Sequence, residues 1–146
     1  MAQDRPFRTG REVPLRPFSY ALIAFLVLPS ACWRGQGAEA VAERFMEHYY
    51  VLADLQGAKR FTTGLASEKI QEQLKLIAGA VVDAQTRSRE VSFALVEKQE
   101  QGEKVFLVYE VTIAPKGGIS FKKRSLLSLG RVGGAWKVTN FRDFDV

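Results

Sequence analysis

The sequence predicts an α+β domain: N-terminal helices packed on a curved four-stranded antiparallel sheet. Three observations carry this. The apolar period changes from 3.6 to 2 near Arg89. Turn signals at Gln101-Gly102, Gly117-Gly118 and Gly133-Gly134 divide the second half into hairpin-linked strands. Helical spacing is confined to the first half, and helices before strands give layers that are segregated rather than interleaved.

The chain opens with a segment that reads as an address, not as fold. Arg5, Arg8, Arg11 and Arg16 precede an apolar stretch of 11 residues, Phe18 to Leu28, broken only by Ser19, and then Pro29-Ser30-Ala31-Cys32. A bilayer-spanning helix needs about 20 apolar residues and a signal core about 7–15. Pro29 blocks further helix, since it has no N–H and clashes with the preceding turn. Ser30, Ala31 and Cys32 resemble the end of the bacterial lipobox, with Leu28 one place early and Pro29 in the usual Leu position. The resemblance implies lipidation of the Cys32 thiol before cleavage. An uncleaved inner-membrane anchor with its arginines in the cytoplasm stays open, as does plain secretion. The polar stretch Met1 to Glu12 is long for such a leader, so translation from Val13 is a further alternative. The expected organisation is a signal peptide or anchor at 1–31, a tether at 32–37 and one domain at 38–146.

Removing residues 1–31 leaves 115 of 146. That is one domain, able to bury roughly two-thirds of its unfolded surface. Cys32 is the only cysteine, so no disulfide forms within the chain. Four Arg and two acids fall in the leader, which lowers the formal net charge from +5 to +3. That balance does not indicate a nucleic-acid partner. Lys122-Lys123-Arg124 lacks interleaved aromatics and reads as a solvated strand face, with anionic lipid headgroups as the sharper alternative.

In order, Val41, Phe45, Tyr49 and Leu52 make one stripe of a helix over about 38–53, widened by Met46, Tyr50 and Ala53. Leu55, Ala58 and Phe61 mark a short second helix. Ser67 is expected to cap a third, with Ile70, Leu74, Ile77 and Val81 on its stripe and its end near 85–88. Val91, Phe93 and Leu95 alternate in the first strand. Val105 to Ile113 is the second, with Val105, Leu107, Tyr109, Val111 and Ile113 on one face and Phe106 and Val108 on the other. Ile119 to Val132 is the third, with Ile119, Phe121, Leu127 and Leu129 prominent. In the fourth, Trp136 and Val138 share a face with Asn140, and Trp136 is expected to pack against Phe45 and Tyr49.

This order resembles the nuclear transport factor 2-like superfamily, a cystatin-like cone. Residues 45–58, where the pair Tyr49-Tyr50 precedes Asp54, are similar to its first helix and turn. Gly134-Ala135-Trp136-Lys137-Val138 is similar to its last strand. The resemblance covers about residues 38–146. Such a fold hosts enzymes, binding modules and assembly parts, so it fixes no function.

Family enzymes place an Asp base and a Tyr donor inside the cone. Here Tyr49, Tyr50 and Tyr109 are the candidates to approach it, and Tyr109 is expected to be a core tyrosine with a hydrogen-bonded hydroxyl. Asp54 reads as a cap or turn residue, Asp143 and Asp145 as solvated C-terminal charge, and Glu110 as facing away from Tyr109. His48, the only histidine, has no second ligand for a metal. No acid–base pair stands out, so the expected function is non-enzymatic, with no cofactor and no metal. The expected protein is membrane-tethered in the bacterial cell envelope, facing the periplasm or cell exterior. It binds a small apolar ligand or a protein partner through the cone or sheet, with Tyr49, Tyr50, Phe106, Val108 and Tyr109 as surface candidates and a homodimer through the sheet as one outcome. Inner-membrane assembly factors of type IV secretion and of lipid import resemble this plan and give an alternative. A small isomerase or hydrolase gives another.

Overall fold

The computed structural model describes residues 37–79 and 88–146. The leader and Cys32 lie outside them, as do Val81 and Val82. Helix α1 spans Ala38–Met46 and runs on into a π-helical turn, Glu47–Val51. Helices α2, Leu55–Lys59, and α3, Gly64–Ile77, follow. Strands β1, Arg89–Gln101, β2, Lys104–Pro115, β3, Phe121–Val132, and β4, Ala135–Asp145, form an antiparallel meander in the order β1-β2-β3-β4. No helix among the described residues is long and apolar enough to cross a membrane.

The helices cover one face of the sheet. Ala42, Phe45 and Met46 of α1, Tyr50 of the π-turn and Ile70 of α3 meet Leu107, Tyr109, Val111, Leu127, Leu129 and Val138. All are 4% exposed or less. Strand β2 alternates buried and half-buried side chains along its length, as its sequence predicted. Burial of each such aliphatic contributes about 1.5–3 kcal/mol.

Several elements depart from the sequence reading. The first helix does not stay α-helical to 53. Leu52 N–H donates to Glu47 O at 2.9 Å, five residues back, so the turn holds one extra residue. The buried face thereby moves from Tyr49 to Tyr50, and Leu52 is left exposed. Thr63, not Ser67, holds the N-cap position of helix α3, without a side-chain cap bond, and the helix begins at Gly64. It ends at Ile77, because Ala78 is extended and Gly79 has φ +94°. Strand β3 begins two residues after Ile119. Ile119 and Phe121 are both exposed, against expectation.

Two bulges set the rest. In β1, Leu95 pairs with Tyr109 and Glu97 with Val108, so Val96 is extra. In β4, Asn140 pairs with Ser128 and Val138 with Leu129, so Thr139 is extra. One extra residue exchanges the two faces of everything beyond it. Beyond Val96, Lys98 and Glu100 turn to the helix side. Beyond Thr139, Phe141 and Asp143 do so, and Asn140 does not share the face of Val138. Beside this bulge, residues 61–63 add to the β4 edge: Val138 N–H donates to Phe61 O and Thr63 N–H to Val138 O, both at 2.9 Å.

Trp136 therefore does not fill the place foreseen for it. It is half-buried under the Arg131 guanidinium, 5.0 Å from the ring centroid. Phe141 sits instead against Phe45 at 5.2 Å and Tyr49 at 5.1 Å between ring centroids.

Candidate functional site

The helix-side centre of the sheet is filled by side chains. Tyr49, Tyr50 and Tyr109 all point into it, but they differ. Tyr109 is 1% exposed, and its hydroxyl has no hydrogen-bond partner among the described residues. The expected partner is missing, and Phe93 packs edge-on against the ring, 5.7 Å between centroids. Burial first, then the charges of Glu43 and Glu39, raise its pKa.

Tyr50 lies across β3 and β4. Its hydroxyl bonds Ser125 Oγ at 3.1 Å and donates to Asp143 Oδ1. Asp143 Oδ2 takes Lys123 Nζ at 2.7 Å, and that ammonium stands 4.6 Å from the centroid of the Tyr50 ring. Burial and the adjacent Asp143 carboxylate raise the Tyr50 pKa well above its ordinary value. Asp143, read from sequence as loose terminal charge, is thus fixed in β4. The Thr139 bulge is what turns it inward, and no local sequence signal marks that.

Beside this group is a cleft of about 330 Å³ lined by Tyr49, Lys69, Gln73, Phe141 and Asp143 among others. Gln73 Nε2 donates to Tyr49 Oη at 2.8 Å. Lys69 Nζ donates to Asn140 Oδ1 at 2.9 Å and Phe141 O at 2.8 Å. Tyr49, Gln73, Lys69 and Asp143 at its rim are thus all engaged by hydrogen bonds.

A second polar group joins the helices. Asp54 caps α2, accepting Gly57 N–H at 2.8 Å, while its other oxygen lies 3.0 Å from His48 Nδ1. The Gly57 N–H first, and His48 second, hold the Asp54 carboxyl below its ordinary pKa. The His48 ring packs on Phe61.

Phe106 and Val108 stand on the opposite, outer face of the sheet, both half-buried. Register places Leu126 beside Val108. Glu110 shares that face, as expected, and pairs with Lys122 at 2.7 Å, which lowers its pKa. No helix among the described residues covers this face. The five aromatic and apolar candidates therefore form two sets, three inside and two outside. Among the described residues no group of three metal-ligating side chains occurs.

No family model and no curated protein matches the chain. Solved structures do. A candidate calcium/calmodulin-dependent protein kinase type II association domain from Thiobacillus denitrificans matches with TM-score 0.56 at 9% identity, covering 76% of this chain and 96% of that one. An NTF-2 like protein of unknown function from Shewanella oneidensis matches with TM-score 0.54 at 12% identity over 72% and 93%. The VirB8 protein of Agrobacterium tumefaciens matches with TM-score 0.50 at 7% identity over 74% and 90%. At these identities the likeness is one of fold. It is the nuclear transport factor 2-like fold that the element order predicted.

Proposed function

We propose that this chain is a membrane-tethered, non-enzymatic domain of the bacterial cell envelope that works by binding protein through the outer face of its sheet. The observation that carries this is the filled interior. Phe45, Met46, Ile70, Leu107, Leu127 and Val138 are fully buried where a cone ligand would sit. The likeness in fold to an association domain and to VirB8 supports an assembly role. Tethering rests on the leader, with lipidation at Cys32 or an uncleaved anchor as the two forms. The catalytic alternative has its best group in Tyr50 and Asp143, yet both Asp143 oxygens are engaged. A general base needs a free face within reach of substrate.

Intact-mass analysis of fractionated cells tests the reading. Loss of residues 1–31 with acyl mass on Cys32 supports the lipoprotein form. A full-length chain in the inner membrane supports the anchored form. A full-length chain in the soluble cytoplasmic fraction overturns the proposal.

A further inference from the structure

The chain enters the domain at the end of the sheet that carries the β1–β2 and β3–β4 turns. Gly37 and Ala38, at the start of α1, line a groove of about 390 Å³ together with Gly102, Val105 and Trp136. The register sets Gln101, Lys104, Gly130 and Lys137 side by side at this end. Ile113 and Phe121 pair nine residues along β2 from Lys104, about 30 Å away at about 3.3 Å per residue. The tether over 32–37 is six residues and spans at most about 20 Å. A domain held at or just before Cys32 therefore keeps its turn-bearing end close to the membrane and cannot point the Ile119 end at it.

We infer that the β3–β4 hairpin seats on anionic phospholipid headgroups of the membrane that holds the chain, so that the domain stands on this end. From Val111 to Arg142 the sequence has no acid, so the hairpin brings bases alone. Arg131 pairs with Trp136 across it, and Val132 with Ala135, around the Gly133-Gly134 turn. The Arg131 guanidinium lies over the half-buried Trp136 ring, 5.0 Å from its centroid, and Val132 is 49% exposed. A Trp ring, apolar in body with one N–H donor, settles at the boundary between headgroups and acyl chains. A guanidinium can hold a phosphate by two parallel hydrogen bonds while its flat face stays stacked on an aromatic ring. Lys137 Nζ, 2.6 Å from Arg60 O, adds a second base beside them. Glu39 and Glu100 border the groove, but both are tied to Lys98, at 2.6 and 2.8 Å. Glu103, in the β1–β2 turn, is followed by Lys104. Each base near an anionic surface strengthens binding about fivefold. A short tether supplies an effective concentration of about millimolar, so a contact too weak to hold a free protein suffices. The inference rests on the tethering half of the reading above and adds a posture to it: the strands stand up from the membrane, and the outer face of the sheet looks sideways.

Trp33 and Trp136 are the only tryptophans, so Trp33→Phe leaves Trp136 as a single reporter. The full chain carrying Trp33→Phe is reconstituted into vesicles and floated on a density gradient. In phosphatidylglycerol vesicles, bromine placed on the acyl chains next to the headgroup is expected to lower Trp136 emission about twofold, because the ring lies at that level. In phosphatidylcholine vesicles brominated in the same way, the loss is expected to vanish. Arg131→Glu in the same background is expected to abolish it too. Arg131 is exposed, so charge reversal spares the fold, and circular dichroism matching the parent certifies this. A second reporter watches the opposite end. Trp33→Phe/Trp136→Phe/Ile119→Trp, at a position 91% exposed, is expected to keep its full emission. A chain that does not float overturns the tethering reading and this inference with it. Four results in a chain that floats overturn the headgroup seat alone: Trp136 untouched by bromine, Trp136 quenched equally in both lipids, Arg131→Glu still quenched, or the reporter at position 119 quenched as strongly as Trp136.

Discussion

Asp54 stands between His48 and Gly57, with one carboxylate oxygen 3.0 Å from His48 Nδ1 and the other 2.8 Å from the Gly57 amide nitrogen. This contact closes the joint after the π-turn, where Ala53 takes φ 51°. It ties α2 to the end of α1 and leaves no room for a side chain at Gly57. A Cβ there would lie 2.0 Å from Asp54 Oδ2 and 2.2 Å from His48 Nδ1.

Gly57→Ala is therefore expected to destabilise the domain by about 1–3 kcal/mol, by overpacking. Asp54→Ala removes one of the two clashing groups. The pair Asp54→Ala/Gly57→Ala should cost less than the sum of the singles in urea unfolding, because the sites share a contact. Additive losses would place the cause elsewhere.

The same carboxyl sets an acid limit. Its folded pKa lies below the ordinary value of 3.8. The unfolded chain then takes up the proton first as pH falls. The contribution is complete above that value and is lost as pH drops through the folded pKa. Melting temperature measured from pH 6 to 2 should fall more steeply in the parent than in Asp54→Asn. Parallel curves would contradict this.

Tyr109→Phe should leave stability unchanged or raise it. The hydroxyl is buried without a partner, so its removal ends a desolvation cost and breaks no bond. Tyr50→Phe is the contrast, since it strips a bond from buried Ser125 and from Asp143. It should cost about 1–3 kcal/mol. Equal thermal shifts for the two variants would sink the distinction.

Phe141→Ala should cost about 3–5 kcal/mol, the range for a core aromatic. Trp136→Ala should cost less, because Trp136 is half-buried at the rim. Chemical denaturation of both variants ranks them, and the reverse order would refute the placement of the two rings.

The sequence carried the layout well and the phase poorly. Strand β2 was readable because its alternation runs unbroken from Val105 to Ile113. The Gly133-Gly134 turn was readable because both glycines take positive φ, +59° and +82°. What escaped were the places where one residue is added: the π-turn, Val96 and Thr139. A bulge is set by pairing with a neighbouring strand, and no local composition announces it. For that reason the sequence alone puts Trp136 in the place of Phe141 and reads Asp143 as loose charge. The neighbours across the outer face escaped for the same reason. Glu97 and Arg142 are 45 positions apart in the sequence, and only the register aligns them on one rung.

The end of β1 bears on how association stops. Glu97, Lys98, Gln99, Glu100 and Gln101 are all exposed, and Lys98 is tied to Glu39 and Glu100 at 2.6 and 2.8 Å. Charge along a free strand edge discourages another strand from adding there. At the other border, part of β4 is already occupied by residues 61–63. A sheet with both borders blunted in this way resists growth by strand addition. Left adhesive, the same borders would let each copy recruit the next and turn a finite particle into a ribbon.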